Sequence, residues 1–135
     1  MTREPLETFL REVADWAPSR DDILALGLVG SQARGTAGPD SDVDLIILAR
    51  EPQALLGDTC WITLFGEVKD WQVEDYGRVQ SLRVWYQGGL EVEYGLTDAG
   101  WAAQPLDPGT RQVVSDGLCA LWERQPLLSP LLAGG

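Results

Sequence analysis

Asp42 and Asp44 stand two residues apart at the head of an apolar run, Ser41-Asp42-Val43-Asp44-Leu45-Ile46-Ile47-Leu48. Burying a carboxylate costs several kcal/mol unless a cation or a hydrogen-bond donor meets it. Residues two apart on a strand share a face, about 7 Å apart along the chain. Asp42 and Asp44 therefore stand together, and Ile46 and Leu48 carry their face into the core. Val43, Leu45 and Ile47 cover the other side. Acids placed where a strand leaves the core can face a cleft, where two magnesium ions about 4 Å apart could be bridged by carboxylates and a triphosphate. Upstream, Gly30 allows the backbone to approach a phosphate, and Ser31 offers a hydroxyl and an N–H at an expected helix start. Arg34 can clamp a phosphate or pair with an acid such as Asp40; we favour a role in the site.

Two other frames fit the same residues less well. Asp40, Asp42 and Asp44 open a D-x-D-x-D calcium loop with Glu51 at its twelfth position, but the sixth position, which must be glycine, is Leu45. Gly30 and Gly35 frame a P-loop, yet its lysine is missing and Thr36 stands there. Both frames are rejected.

The composition narrows the chemistry further. There is no histidine, which excludes a Ser-His-Asp triad, a histidine base and histidine-bound zinc. Cys60 and Cys119 lie far apart with no metal-binding spacing, and are expected as reduced core thiols. Acids outnumber basic residues 21 to 10, leaving a formal charge of −11. Such a chain is poorly suited to gripping nucleic acid through its phosphates. Carboxylates, hydroxyls and arginines remain, a vocabulary for hard cations and phosphates. No apolar run is long enough for a membrane span. The start, MTREPLETFL, lacks the apolar core of a signal peptide, so a cytoplasmic location is expected.

The elements that must position these residues follow from periodicity. Leu6, Phe9, Leu10, Val13 and Trp16 recur at helical spacing behind Pro5. Ile23–Gly30 and Val43–Ala49 read as strands buried on both faces, central neighbours joined by a Gly/Ser/Pro-rich segment. Residues 52–65 suggest one or two short helices. EVKDWQVED, VQSLRVWYQ and GLEVEYGL alternate with period two and read as three strands, with Gly88-Gly89 as a tight turn between the last two. Residues 97–117 are dense in Gly, Pro and Asp and give no clear pattern. LCALWE reads as a strand or a short helix, followed by an apolar tail whose default role is to close over the core. At 135 residues the chain is expected to form one domain, 1–135, of α/β (α+β) class. Its sheet is expected to be mixed, mostly antiparallel, with helices against it.

The run Gly30-Ser31-Gln32-Ala33-Arg34-Gly35, then Ser41-Asp42-Val43-Asp44-Leu45, resembles the signature of the DNA polymerase β-like nucleotidyltransferase superfamily. Its small bacterial members, minimal nucleotidyltransferases and aminoglycoside-type catalytic domains, are the nearest in pattern. The resemblance implies the palm-like fold of that superfamily. It makes Asp42 and Asp44 metal ligands and gives nucleotide binding to Gly30, Ser31, Arg34 and Ser41. It also requires a third carboxylate on a later strand. In GLEVEYGL, Glu91 and Glu93 share a face; Glu93 fits the pattern better, although relatives often carry aspartate there, and Glu91 is the alternative. In the resemblance this acid helps deprotonate the acceptor hydroxyl.

The expected function is magnesium-dependent transfer of an NMP, AMP from ATP in the first instance, to a hydroxyl of a small-molecule or protein acceptor, with release of pyrophosphate. The rival is an antitoxin-like module that binds or AMPylates a helical partner toxin. A homodimer could also shape the acceptor site. Of the six tryptophans, Trp101 follows the third-acid strand and is expected in the core. Arg78 and Arg83, on the preceding strand, either reach the cleft or line a solvated edge.

Overall fold

The spacing of Phe9 and Val13 sets the first helix, α1 (Arg3–Trp16), and both side chains are fully covered. Pro18 lies in the short 3-10 turn Ala17–Ser19 that follows it. The computed structural model describes residues 3–30, 32, 42–103 and 106–133. After α1 come β1 (Ile23–Val29) and β2 (Val43–Ala49), then α2 (Pro52–Gly57) and the 3-10 segment Cys60–Phe65. Next are β3 (Val68–Tyr76), β4 (Val79–Tyr86) and β5 (Glu91–Thr97). The chain continues through the 3-10 turn Ala99–Ala102, α3 (Pro108–Asp116), β6 (Leu118–Glu123) and α4 (Ser129–Ala133).

The strands form one six-stranded sheet in the order β3-β4-β5-β2-β1-β6. β1 and β2 are antiparallel neighbours, as their shared apolar character implied, with Val29 opposite Asp44. Every adjacent pair is antiparallel except β2 and β5, which run parallel. The fold is therefore α+β with a mixed, mostly antiparallel sheet. Gly88 and Gly89, at φ of 95° and 101°, make the turn into β5, where Gly89 N–H donates to the Tyr86 carbonyl at 3.2 Å. LCALWE resolves as a strand.

Each face of the sheet has its own apolar cluster. On one side Val43, Leu45 and Ile47 pack with Val92, Tyr94 and Leu96 beneath Phe9, Val13, Trp61 and Phe65. Each such side chain contributes about 1.5–3 kcal/mol by leaving water. The buried phenols are satisfied, with the Tyr86 and Tyr94 hydroxyls 2.7 Å apart and the Tyr86 hydroxyl 2.8 Å from the Ile62 carbonyl. On the opposite side Ile46 and Leu48 pack with Trp101, Leu118, Leu128 and Leu131. The leucine-rich tail thus closes over the chain's own core. Gly27 permits that closure, because a Cβ there would lie 3.0 Å from the Leu118 and Leu128 methyls.

One expectation is corrected: Cys60 and Cys119 are exposed rather than core thiols. Cys60 opens the 3-10 segment with its N–H donating to Asp58 Oδ1 at 3.0 Å, and Cys119 lies on the edge strand β6. Among the described residues no helix is long and apolar enough to cross a membrane.

Candidate active site

β2 delivers its side chains as the alternation requires, with Asp44 on the face continued by Ile46 and Leu48. The parallel pairing of β2 with β5 then places Asp44 directly beside Glu93. Parallel neighbours in register point to the same face, so the two carboxylates converge although far apart in sequence. Glu93 also accepts a hydrogen bond from the Ser81 hydroxyl at 2.7 Å. Asp42 lies just before β2 and is more exposed.

The Asp44 carboxyl is pushed up to about 6. Burial is the main cause, followed by the negative charges of Glu93 and Asp42 and a hydrogen bond with Glu93; Arg83 opposes the shift. A carboxyl buried beside two other acids in this way is one whose ionised form the described residues around it do not compensate.

Gly30 meets this carboxylate from the end of β1. Its φ is 74°, and a Cβ there would lie 2.5 Å from Asp44 Oδ2. Only glycine accepts both the left-handed backbone and the contact. The candidate phosphate turn and the candidate metal ligand therefore touch.

Arg83 does not line a solvated edge; it enters the acidic cluster. Its Nη1 donates to Glu91 Oε2 at 2.6 Å and to Asp42 Oδ2 at 3.3 Å, Nε donates to Glu74 Oε1 at 3.4 Å, and Nη2 lies 3.4 Å from Glu93 Oε2. These contacts separate the two glutamates of β5, since Glu91 is the tight partner of Arg83 and Glu93 the registered partner of Asp44. They also show that a basic residue meets Asp42.

A cavity of about 420 Å³ opens beside the carboxylates, with Gly30, Asp44, Glu93 and Gly95 on the sheet side. Trp101, Thr110 and Val113 wall it, and Tyr76, Arg78 and Asp107 stand at its more exposed side. Arg78 is fixed there by Asp107, 3.0 Å from its Nε. Trp101 is at once core, as expected, and cavity wall.

The wall formed by α3 was not legible in the pattern of residues 97–117. The local signal was present: Asp107 caps the helix by accepting from the Thr110 N–H at 3.1 Å, Pro108 occupies the first turn, and Gly117 ends it. Ser31, Arg34 and Ser41, and Asp40 with them, lie outside the described residues.

The donor set is made of carboxylate oxygens, which suits magnesium and not a soft metal. Among the described residues no three such side chains are grouped so as to hold an ion between them. Magnesium does not require such a group, being held by one or two carboxylates together with waters and substrate phosphates. The geometry fits that mode.

The profile of the nucleotidyltransferase domain family matches residues 6–95, from α1 through most of β5. None of the curated proteins matches the chain by sequence. Among solved structures, an aminoglycoside 6-adenyltransferase from Bacillus subtilis superposes with a TM-score of 0.55 at 16% identity, covering 76% of this chain. The aligned region is 36% of that protein, so the chain spans about a third of its length. That likeness concerns the fold. With the family profile spanning more than half of its residues and both carboxylate-bearing strands, the chain belongs to the nucleotidyltransferase domain family, a branch of the DNA polymerase β-like superfamily.

Proposed function

We propose that residues 1–135 act as a single nucleotidyltransferase domain, moving an NMP group from a nucleoside triphosphate to an acceptor hydroxyl in the cytoplasm. The observation that carries this reading is the in-register pair Asp44 and Glu93, facing a cavity at a glycine turn. ATP is the proposed donor, in keeping with the adenyltransferase named among the structural neighbours. Asp42, Asp44 and Glu93 are the acids that would hold magnesium, one or two to an ion with phosphate oxygens and water completing the shell, and the metal would neutralise charge on the triphosphate and on the transferring phosphoryl group. Gly30 and Ser31 would receive the β and γ phosphates, with Arg34 and Ser41 completing the nucleotide contacts. The acceptor oxygen forms a bond to the α phosphorus as the bond from that phosphorus to the bridging oxygen breaks. Pyrophosphate leaves, and the acceptor's proton passes to a carboxylate, Glu93 being the favoured base.

Calorimetry with ATP and magnesium tests this on the wild type and Asp44→Ala. Equal binding by both proteins would sink the reading. Transfer of label from α-labelled ATP to small aminoglycosides and to protein acceptors then identifies the acceptor class.

One observation favours a second reading, a module that binds a partner protein. The edge strand β3 exposes Trp71 and Val73, at 44% and 46%, on the face that the α1 cluster occupies further in. An exposed apolar edge strand is a natural docking place for another chain. A helical partner retained by the wild type but lost by Trp71→Glu, with no nucleotide transfer to any acceptor, would favour that reading.

A further inference from the structure

We propose that Arg83 is the protein's internal counter-cation, a positioning residue that holds Asp42 and Glu93 while no metal is bound. As a divalent cation enters, it withdraws onto Glu91. The inference rests on the magnesium reading of the carboxylates.

Three features of the cluster support it. A guanidinium cannot lose its proton to make room, so it must share the acids with an incoming cation or move. Its contacts are also unequal. The hydrogen bond to Glu91 is short, at 2.6 Å, whereas the contact to Asp42 is 3.3 Å and the ion pairs with Glu93 and Glu74 are 3.4 Å. Releasing the long contacts leaves the strong one intact. Finally, among the described residues one positive charge faces five carboxylates: Asp42, Asp44, Glu74, Glu91 and Glu93. That imbalance leaves the cluster short of positive charge, and a divalent cation would supply it. Glu91, the acid that alternation alone could not separate from Glu93, acquires a role as the place where the arginine rests.

Manganese alone, without nucleotide, is the probe, titrated by calorimetry into the wild type, Arg83→Gln, Arg83→Lys, Glu91→Gln and the double variant Arg83→Gln/Glu91→Gln. Removing a positive charge a few ångströms from a divalent ion is expected to tighten manganese binding by about tenfold in Arg83→Gln. The metal-free Tm of that variant should fall, and manganese should restore more of it than in the wild type. Arg83→Lys, which keeps the charge, should bind close to wild type. Glu91→Gln should bind more weakly, because the arginine then presses on Asp42 and Glu93. This loss should vanish in the double variant, since it acts through Arg83.

Manganese binding no tighter in Arg83→Gln than in the wild type overturns the inference. So does a Glu91→Gln defect of equal size with and without Arg83, which would be simple charge loss. If Arg83→Gln does not fold, unchanged affinity in Glu91→Gln is sufficient to reject it. Wild-type binding that is abolished by Asp44→Asn but indifferent to Arg83 removes this inference and leaves the proposed function standing. Absence of manganese binding in the nucleotide-free wild type overturns this inference and leaves the proposed function to the titration with ATP and magnesium.

Discussion

The two faces of β2 are built from alternate residues of one strand, yet they behave as different materials. Val43, Leu45 and Ile47 enter a sealed apolar layer under α1, where the buried polar side chains are satisfied. Asp44 lies on the opposite face among other acids, with Ile46 and Leu48 packed behind it and a cavity in front. The sealed face makes the strand rigid, and that rigidity holds two mutually repelling carboxylates together on the open one. A stable layer here supports a locally unfavourable one, the usual arrangement at functional sites.

The largest expected effect breaks only the open face. Asp44→Ala should lower nucleotide transfer on the order of a thousandfold, comparable to removing a principal electrostatic element of an active site, while the fold survives by circular dichroism. Leu45→Ala, its neighbour on the sealed face, should do the opposite. It is expected to cost about 2–5 kcal/mol in denaturant unfolding through cavity formation, with transfer per folded molecule nearly intact.

Gly30→Ala should affect both properties at once. The left-handed backbone costs about 1–2 kcal/mol for a residue with a Cβ, and the added methyl displaces the Asp44 carboxylate. Thermal melts and metal titration would register the two losses together; a drop in Tm with unchanged metal affinity would deny the contact its role.

A smaller effect follows from the raised Asp44 pKa. The folded state holds its proton up to about 6, whereas the unfolded chain releases it near the usual carboxylate value. Asp44 therefore favours the metal-free fold at low pH, and that contribution is lost as pH rises through about 6. Asp44→Asn should consequently be more stable than the wild type at pH 8 without metal, by on the order of 1 kcal/mol once solvent screening is allowed for. The difference should shrink towards pH 4. Smallest in scope is Asp107→Ala, which removes the α3 cap at about 1 kcal/mol and loosens the cavity wall, measurable by hydrogen exchange in α3.

What could be read from the sequence was whatever a single strand or helix determines by itself. The β2 pattern assigned both of its faces, and Phe9 and Val13 assigned the buried side of α1. Alternation put Glu91 and Glu93 on one face but could not rank them, because the ranking comes from the parallel register with β2 and from Arg83 on β4. Arg83 itself gathers acids from β3, β5 and the entrance to β2, a convergence that no local spacing contains. In α3 the apolar stripe is little more than Val113 and Val114, too thin for periodicity to reveal, although the Asp107-Pro108 start was there. Ser31, Arg34 and Ser41 keep the standing that the motif alone gives them.

The parallel pairing of β2 with β5 also constrains the order in which the site can come into being. The β3–β4 hairpin lies between them in sequence, and β4 flanks β5 in the sheet. Asp44 therefore meets Glu93 only once β5 has docked on β2 across the intervening segment, a non-local closure of the kind that slows folding. While the chain is still emerging from the ribosome, β1 and β2 can pair, but the carboxylate cluster is incomplete. The proposed nucleotide chemistry needs the β2–β5 pairing in place.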